Sequence, residues 1–327
     1  MPERTARQIY NRILEAEHIL LVPHQGPDGD ALGSVAALMH FLKNEQIDHT
    51  VFCETSASQK MNFLPYIEEL TTDKEVWKKS PFDLIVVVDS SDLDYAGVEN
   101  YLDELDQKPD IINIDHHSTN TYFGDLNLVI DSASSTTHIL YDFFKTNHIK
   151  IDSHLATCLL TGLITDTDNF TNAATTVASL EIAGDLVKKG GDIKMIKQIM
   201  FEDKSINTLK LWGTALSRLS KHDDHEIVYT YLTQEDLKNF NVEEEESKGI
   251  ANFMNVLEDG KAALILKEKE ENKTKASLRT TRDDIDVSKI AKKMGGGGHK
   301  KAAGFSSNKS VKDTLKQVWK TLEENKN

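Results

Sequence analysis

The residues best suited to chemistry in this 327-residue chain are acids and histidines that stand directly after apolar segments. The clearest group is Asp115–His117, which follows the β-forming run 111–114. Such a run is typical of a buried strand. In open α/β sheets, ligand-binding and catalytic groups gather at the carboxyl ends of the strands. This stretch is therefore the first candidate for a functional site.

Three further apolar segments end in residues of the same kind. A turn containing glycine and proline follows the first segment, and short acidic turns follow the other two. The candidates that these turns supply are His24, Asp28, Asp30, Asp89 and Asp166. A single aspartate after a strand is usually a turn or helix-cap residue. The recurrence of the pattern, rather than any one residue, therefore indicates a shared metal-binding site.

Together with His116, this set contains four carboxylates and two imidazoles. Carboxylates suit hard divalent cations, and imidazole suits Mn²⁺ better than Mg²⁺, so Mn²⁺ is the expected metal. Six donors exceed what one ion with an open position needs. We therefore expect two Mn²⁺ ions per chain that share a bridging carboxylate, at the separation of about 3.5–4 Å found in two-metal sites.

Alternating strands and helices must position these groups. Short apolar runs predict strands over residues 18–22, 50–53, 83–88 and 111–114. Amphipathic patterns predict helices over residues 4–16, 30–44, 136–147, 153–165, 175–189 and 192–200. Strands that alternate with helices predict an α/β fold, in which a parallel sheet carries helices on both faces.

The pattern changes towards the C-terminus. Strands are predicted over residues 226–232, 261–267 and 275–281, and helices over 234–239, 247–256, 286–293 and 310–323. This arrangement is typical of an α+β domain. We expect a metal-binding domain over residues 1–190, a helical connector over 191–222 and a smaller α+β domain over 223–327.

Composition and charge restrict the class of protein. The chain is 39% hydrophobic and 28% charged, as folded globular proteins are, and its two cysteines lack the spacing of a metal site, which favours a reducing compartment. The sequence contains neither the apolar core of a signal peptide nor the ~18 apolar residues of a membrane span, so we expect a cytoplasmic protein with no membrane partner. Residues 1–239 carry a net charge of −18 and residues 240–327 one of +3, which disfavours binding of long duplex nucleic acid.

The candidate residues occur in four segments with a familiar order. The segments are His24–Ser34, Asp89–Asp92, Asp115–His117 and Thr165–Thr167. They resemble the four motifs of the DHH phosphoesterase superfamily. Near the C-terminus, Gly295–His299 with Ser277–Thr280 upstream resembles the DHH-associated substrate-binding domain. The resemblance covers nearly the whole chain, and its closest form is the two-domain branch that contains bifunctional oligoribonucleases and phosphoadenosine-phosphate phosphatases.

The resemblance implies two sets of metal ligands. The first Mn²⁺ would be held by His24, Asp28 and Asp89. The second Mn²⁺ would be held by Asp30, Asp89, His116 and Asp166. Asp89 would bridge the two ions, which would polarise the phosphoryl oxygens and lower the pKa of a shared water.

The resemblance also implies roles next to the metals. His117 would lie close to the reacting phosphate, and Asp115 would orient His116 instead of binding metal. The residues expected to act in catalysis are therefore Asp28, Asp30, Asp89, His116, His117 and Asp166. No covalent enzyme intermediate is required.

Substrate binding is expected to involve the C-terminal domain. The residues that the resemblance assigns to it are His117, Arg279, Gly297, Gly298, His299 and Lys300. Backbone N–H groups of glycine can approach a phosphate closely because glycine has no Cβ, and an arginine can clamp a terminal phosphate with two hydrogen bonds. Alternatively, the glycines form only a flexible loop, and Lys300, like Arg282 and Lys301, is ordinary surface charge.

The implied activity is Mn²⁺-dependent hydrolysis of RNA fragments of a few nucleotides and removal of the 3′-phosphate from 3′-phosphoadenosine 5′-phosphate. The nearest alternative is cleavage of the linear dinucleotide pApA in cyclic di-AMP turnover. A manganese pyrophosphatase is disfavoured by Gly295–His299, and a processive exonuclease of the RecJ type by the lack of a further nucleic-acid module. A regulatory module without catalysis is disfavoured by the complete ligand set. A homodimer is compatible with the family.

Two positions depart from the family pattern. Asp168–Asn169 stands where many relatives have glycine and often arginine, and His138 stands where relatives often have an acid. These changes leave the expected metal ligands intact. They bear instead on the preference for one substrate over another.

Overall fold

The computed structural model describes residues 2–79, 82–105, 107–202, 205–243, 249–254, 259–270 and 272–323. The chain divides into two compact units, Met1–Glu202 and Asp203–Asn327. Residues 191–222, for which a helical connector is predicted, contribute to both units. None of the helices in the described ranges is long and apolar enough to cross a membrane.

A parallel sheet forms the centre of the first unit. Its strands are β1 (His18–Pro23), β2 (Asp48–Val51), β3 (Leu84–Val88), β4 (Asp110–Asp115) and β5 (Leu126–Val129), in the order β2-β1-β3-β4-β5. Pro23 lies in register with Val88, and Val88 with Ile114. The carboxyl ends of β1, β3 and β4 therefore meet at one edge, where the segments after these strands come together.

Helices surround this sheet. They are α1 (Glu3–Glu15), α2 (Gly29–Asn44), α3 (Val76–Lys79), α4 (Leu93–Ala96), α5 (Glu99–Asp103), α6 (Thr136–Thr146), α7 (Ser153–Asp166), α8 (Val177–Lys188) and α9 (Ile193–Lys197). Short 3₁₀ turns cover Gln59–Met61 and Ile67–Glu69, and a π-helical turn covers Gln198–Glu202.

Successive strand residues enter different apolar cores, because side chains alternate across a strand. Leu21 and Val86 pack into the core that contains α2, α6 and α7. Leu20 and Val87 pack into the opposite core, with Trp77 and the short helices α4 and α5. Both faces of the sheet are thus covered, and the predicted α/β fold is confirmed.

The second unit is built on a mixed sheet. Its strands are β6 (Ser220–His222), β7 (Ile227–Leu232), β8 (Ala262–Glu270), β9 (Lys273–Arg279), β10 (Gly297–Gly298) and β11 (Ala302–Ser307), in the order β10-β11-β9-β8-β7-β6. The strands β7 and β8 pair in parallel, and the other neighbours are antiparallel.

Helices cover both faces of this second sheet. They are α10 (Ile206–Ser217), α11 (Gln234–Phe240), α12 (Ile250–Phe253), α13 (Ser288–Lys293) and α14 (Val311–Glu323). Val287 and Val318 pack on one face, and Leu211, Leu237 and Ile250 on the other. This agrees with the predicted α+β architecture. The helix predicted over 247–256 lies partly outside the described residues, and α12 is its described part.

Candidate metal centre

The first candidate ligands come from the loop between β1 and α2. His24 follows the last residue of β1, and Asp28 is the N-cap of α2, where its Oδ1 accepts hydrogen bonds from the backbone N–H groups of Asp30 (3.0 Å) and Ala31 (3.2 Å). Gly26 adopts a φ of +66°, which glycine tolerates without strain. The tight turn therefore brings three candidate ligands of one motif into a single loop and helix terminus.

A first cluster contains His24, Asp28 and Asp89. The Nε2 atom of His24 lies 3.8 Å from Asp28 Oδ1 and 3.7 Å from Asp89 Oδ2. The Nδ1 atom donates a 2.9 Å hydrogen bond to the carbonyl of Gln25, because a carbonyl can only accept. That bond directs Nε2 towards the two carboxylates, the orientation that a metal ligand requires.

A second cluster contains Asp30, His116 and Asp166. The Nε2 atom of His116 lies 3.1 Å from Asp166 Oδ2 and 3.9 Å from Asp30 Oδ2. It also lies 3.5 Å from Asp89 Oδ1. The two oxygens of Asp89 thus face different imidazoles, with Oδ2 towards His24 and Oδ1 towards His116. Within each cluster the donor atoms lie within 4.8 Å of one another, so each cluster can hold a metal ion.

The N-terminus of α6 fixes two of these carboxylates. The hydroxyl of Thr136 donates to Asp89 Oδ1 at 2.8 Å, and its backbone N–H donates to Asp30 Oδ2 at 2.6 Å. Thr137 donates to Asp30 Oδ1 through its backbone N–H at 3.0 Å and its hydroxyl at 2.8 Å. Asp89 is 2% exposed and has a φ of +58°, so these contacts also hold a backbone conformation that is rare outside glycine.

Asp115 contacts His117, not His116, so the orienting role expected for it was assigned to the wrong histidine. Asp115 Oδ1 accepts a 2.7 Å hydrogen bond from His117 Nδ1, and Asp115 Oδ2 accepts one of 2.6 Å from Asn120. The reason is the alternation of side chains at the end of β4, which places residues two apart on the same side. His117 Nδ1 lies 3.8 Å from Asp89 Oδ1, so the pair borders the metal clusters.

Burial and mutual repulsion make three of the four carboxylates difficult to ionise in the absence of a cation, whereas the pKa of Asp28 is lowered, despite desolvation, by His24 and two backbone N–H groups. Burial, followed by the charge of Asp89, raises the pKa of Asp30 to about 7. Burial also raises the pKa of Asp89 to about 6, with the charge of Asp28 as the next cause. Burial and the charge of Asp30 raise the pKa of Asp166 to about 6. A bound cation would relieve this repulsion.

The same carboxylates raise the pKa values of the two imidazoles beside them. Burial disfavours a protonated His24, but the neighbouring carboxylates of Asp28 and Asp89 raise its pKa to about 9. Burial likewise disfavours a protonated His116, but Asp166 and Asp89 outweigh it and raise its pKa to about 10. Without metal, the site therefore holds protons on the groups that could bind metal ions. Its oxygen and imidazole donors fit divalent cations such as Mn²⁺.

Comparison with known proteins assigns the family. The model of the DHH family, N-terminal domain, matches residues 18–163, and that of the DHHA1 domain matches residues 224–325. The protein named bifunctional oligoribonuclease and PAP phosphatase NrnA from Thermus thermophilus is 30% identical over 290 residues, which are 88% of this chain and 83% of that protein. The chain belongs to the DHH family of phosphoesterases. The resemblance found in the sequence motifs is thereby confirmed.

This DHH protein is also similar to two other proteins. The protein named cyclic-di-AMP phosphodiesterase GdpP from Geobacillus thermodenitrificans is 21% identical over 95% of this chain, which is 48% of its own length. A crystal structure of an exopolyphosphatase-related protein from Bacteroides fragilis covers 99% of this chain and 96% of its own, with a TM-score of 0.89 at 24% identity. The latter establishes that the fold is shared.

In the DHHA1 part, strand pairing brings the substrate-binding residues predicted for this domain to one end of its sheet. Arg279 pairs with Ala302, and the backbone N–H of His299 donates to the carbonyl of Ala302 at 2.8 Å. Gly297 and Gly298 form β10, and Lys300 lies exposed in the turn that leads to β11. Arg279 Nη1 donates to the carbonyl of Leu278 at 3.0 Å.

The glycine run is packed against β11 and is not simply a loose loop. Gly298 has a φ of +128°, and a Cβ there would lie 2.6 Å from Ala303 Cα. A Cβ at Gly296 would overlap the carbonyl of Gly304, whereas Gly297 has open space. Among the weaker basic candidates, Arg282 pairs with Asp284 and Lys301 with Asp283, which fits ordinary surface charge.

The departures from the DHH pattern occupy definite positions. Asp168, Asn169 and Phe170 have φ values of 49°, 57° and 62°, a left-handed turn that glycine adopts readily and that Asp and Asn tolerate. His138 accepts a 3.3 Å hydrogen bond on Nδ1 from the backbone N–H of Ser134. Burial lowers the pKa of His138, so this imidazole is neutral and supports the start of α6.

Sequence reasoning missed the residues that hold the acidic groups. Thr136, Thr137 and Asn120 lie outside the motif residues. The contacts of Thr136 and Thr137 join segments far apart in the chain, whereas Asn120 contacts Asp115, five residues before it. Two signals could have found them. Small hydroxyl residues open α6, and an asparagine stands in the short loop that follows the Asp-His-His sequence.

Proposed function

We propose that this chain is a Mn²⁺-dependent phosphodiesterase that hydrolyses short RNA fragments to mononucleotides and converts 3′-phosphoadenosine 5′-phosphate to AMP. The observation that carries the proposal is the placement of Asp89, whose two oxygens face two separate groups of donors. A carboxylate shared by two cations is the arrangement used for in-line displacement at phosphorus. The substrates are suggested by the name of the Thermus thermophilus relative.

In this proposal each cluster holds one ion. The first is held by His24, Asp28 and Asp89. The second is held by Asp30, Asp89, His116 and Asp166. Divalent cations held there would polarise the phosphoryl oxygens and promote the ionisation of a water. Mn²⁺ is proposed over Mg²⁺ because each cluster contains an imidazole.

His117 supplies a hydrogen-bond donor next to these clusters. Burial opposes its protonation, but the hydrogen bond from Nδ1 to Asp115 and the charges of Asp89 and Asp115 together raise the pKa of His117. The imidazole is therefore cationic over a wider pH range, and Asp115 fixes its plane. We assign His117 the stabilisation of charge on the reacting phosphate, as a positioned donor of this kind can provide.

The DHHA1 residues are proposed to bind the end of the substrate. Arg279 offers a planar guanidinium suited to a terminal phosphate. Gly297 and Gly298 leave their backbone accessible, and His299 and Lys300 add donors beside them. A module that binds one terminal phosphate favours substrates of a few nucleotides over long strands.

A second candidate function is cleavage of pApA to AMP in cyclic di-AMP turnover. The observation that favours it is the similarity to GdpP, named a cyclic-di-AMP phosphodiesterase, over 95% of this chain. The same metal centre would perform either reaction, since both hydrolyse one phosphate ester with water.

The deciding experiment is product analysis with Mn²⁺ on pApA, RNA of about two to ten nucleotides, phosphoadenosine phosphate and pyrophosphate. The proposal expects turnover of dinucleotides and phosphoadenosine phosphate that declines with RNA length. Activity confined to pApA would favour the second candidate. Equal rates on long single strands, or Mn²⁺ binding without turnover of anything, would contradict both.

Matched variants connect the activity to the site. D89N retains the shape of the side chain and its contact with Thr136 but removes the bridging charge, so turnover should be lost. D131N removes an exposed carboxylate of the same unit and should leave turnover unchanged. Circular dichroism of both variants checks that the fold is retained.

A further inference from the structure

We infer that Tyr95 is a positioning residue that orients the His24 imidazole and thereby sets the affinity of the His24–Asp28–Asp89 cluster for its cation. The inference rests on the proposed metal-binding function. It assigns a role to a residue that lies outside the four motif segments and belongs to neither set of metal ligands. That role is tested below by metal binding as well as by activity.

The first support is the contact between the two rings. The centroids of Tyr95 and His24 lie 4.9 Å apart with an interplanar angle of 17°, an offset stack. His24 is 4% exposed, and its Nδ1 is held by the carbonyl of Gln25. The hydrogen bond fixes the direction of the ring within its plane, and the stack fixes the plane itself. Together they determine where Nε2 points.

The second support is the rigid connection between α4 and the His24 loop. The carbonyl of Tyr95 accepts a 3.1 Å hydrogen bond from the backbone N–H of Gln25. The side chain of Gln25 donates to the carbonyl of Asp94 at 2.8 Å, and the backbone N–H of Tyr95 donates to Asp92 Oδ1 at 2.7 Å. Tyr95 therefore has a fixed position relative to the residue next to His24.

The aromatic ring, rather than the phenol, carries this role. The contact with His24 is made by the faces of the two rings, which phenylalanine would retain. The ring of Tyr95 also meets His117 edge-on, with centroids 6.3 Å apart. Phenylalanine should therefore replace tyrosine, whereas an aliphatic side chain should not.

The test compares Y95F, Y95L and Y122L by calorimetric titration with Mn²⁺. By analogy with outer residues of metal sites, Y95L should lose roughly ten- to a hundredfold in affinity for one ion and keep the other, and Y95F should bind both as the unaltered chain does. Tyr122 is an exposed tyrosine of the same unit, 62% accessible, so Y122L controls for the substitution itself. The ion retained by Y95L reports that the variant is folded.

Electron paramagnetic resonance gives an independent readout. The spectrum of bound Mn²⁺ should change in Y95L from that of a spin-coupled pair to that of an isolated ion, and should stay coupled in Y95F. Unchanged affinities in Y95L would overturn the inference while leaving the proposed function intact. A raised KM for dinucleotides with unchanged metal binding would also overturn it, because Tyr95 would then act on substrate. Absence of Mn²⁺ binding in the unaltered chain would refute both.

Discussion

Asp115 stabilises a defined orientation of His117 and is itself held by Asn120. In D115N the hydrogen-bond geometry remains, but the negative charge that favours the imidazolium is lost. We expect the pKa of His117 to fall in the metal-free protein and turnover with Mn²⁺ to fall by roughly ten- to a hundredfold, as for other orienting carboxylates. Histidine NMR titration and steady-state kinetics measure the two effects.

D131N is the matched control, because Asp131 is an exposed carboxylate of the same unit. It should change neither the pKa of His117 nor turnover. If D115N left the pKa of His117 in place, the Asp115 charge would not be what holds the proton, and the role assigned to His117 would have to be given up.

At the residue scale, the sequence revealed the donors but not the groups that hold them. His24, Asp89 and His116 each follow an apolar run in the sequence, and parallel strands must end at the same edge, so their proximity could be predicted. Thr136 acts through a tertiary contact with Asp89, and Asn120 through a local contact with Asp115. No local pattern specifies the contact of Thr136 with Asp89, whereas the contact of Asp115 with His117 follows from the alternation of side chains at the end of β4.

At the level of elements, the close approach of α2 and α7 positions Asp30. A Cβ on Gly162 in α7 would overlap Asp30 Oδ1 and would lie 2.5 Å from Thr137 Cγ2. G162A should therefore destabilise the protein by about 1–3 kcal/mol through overpacking and should displace a candidate ligand. Urea denaturation and Mn²⁺ titration measure these consequences.

A glycine in α8 provides the control for this helix substitution. Gly184 is exposed, and a Cβ there would meet nothing within 4 Å. G184A should stabilise the protein by about 0.5–1 kcal/mol, because alanine loses less backbone entropy in a helix than glycine does. Equal effects of G162A and G184A would show that α2 and α7 can separate at little cost.

The strands at the centre of the first sheet were the easiest to predict. The strands β1, β3 and β4 are central, and their apolar runs predicted them with nearly the observed bounds. The strands β5 and β6 lie at sheet edges and contain polar residues such as Asn127 and Lys221, so no strand was predicted there. An edge strand is defined by its neighbour's hydrogen bonds, which the local sequence does not record.

At the scale of the whole molecule, the metal-free centre links stability to pH. The folded pKa values of about 7 for Asp30 and about 6 for Asp89 and Asp166 exceed the ~3.9 of an unfolded aspartate. Those of about 9 for His24 and about 10 for His116 exceed the ~6.5 of an unfolded histidine. In every case the folded chain binds the proton more tightly.

The sign of the pH dependence follows from that difference. The unfolded state releases these protons first, so the contribution of these five groups to the free energy of unfolding of the metal-free protein falls as pH rises. The carboxylates contribute to the fall from about pH 4 to about pH 7, and the imidazoles from about pH 6.5 to about pH 10. Thermal denaturation of the chelator-treated protein across this range measures the slope.

Divalent cations should reverse this dependence, because they take the place of the retained protons and bind the deprotonated ligands. Saturating Mn²⁺ should raise the melting temperature more at about pH 8 than at about pH 6, since fewer protons must be displaced at the higher pH. The difference between melting temperatures with and without Mn²⁺ removes the contribution of groups elsewhere in the chain. A shift of equal size at both pH values would mean that these five side chains do not bind the metal in place of protons.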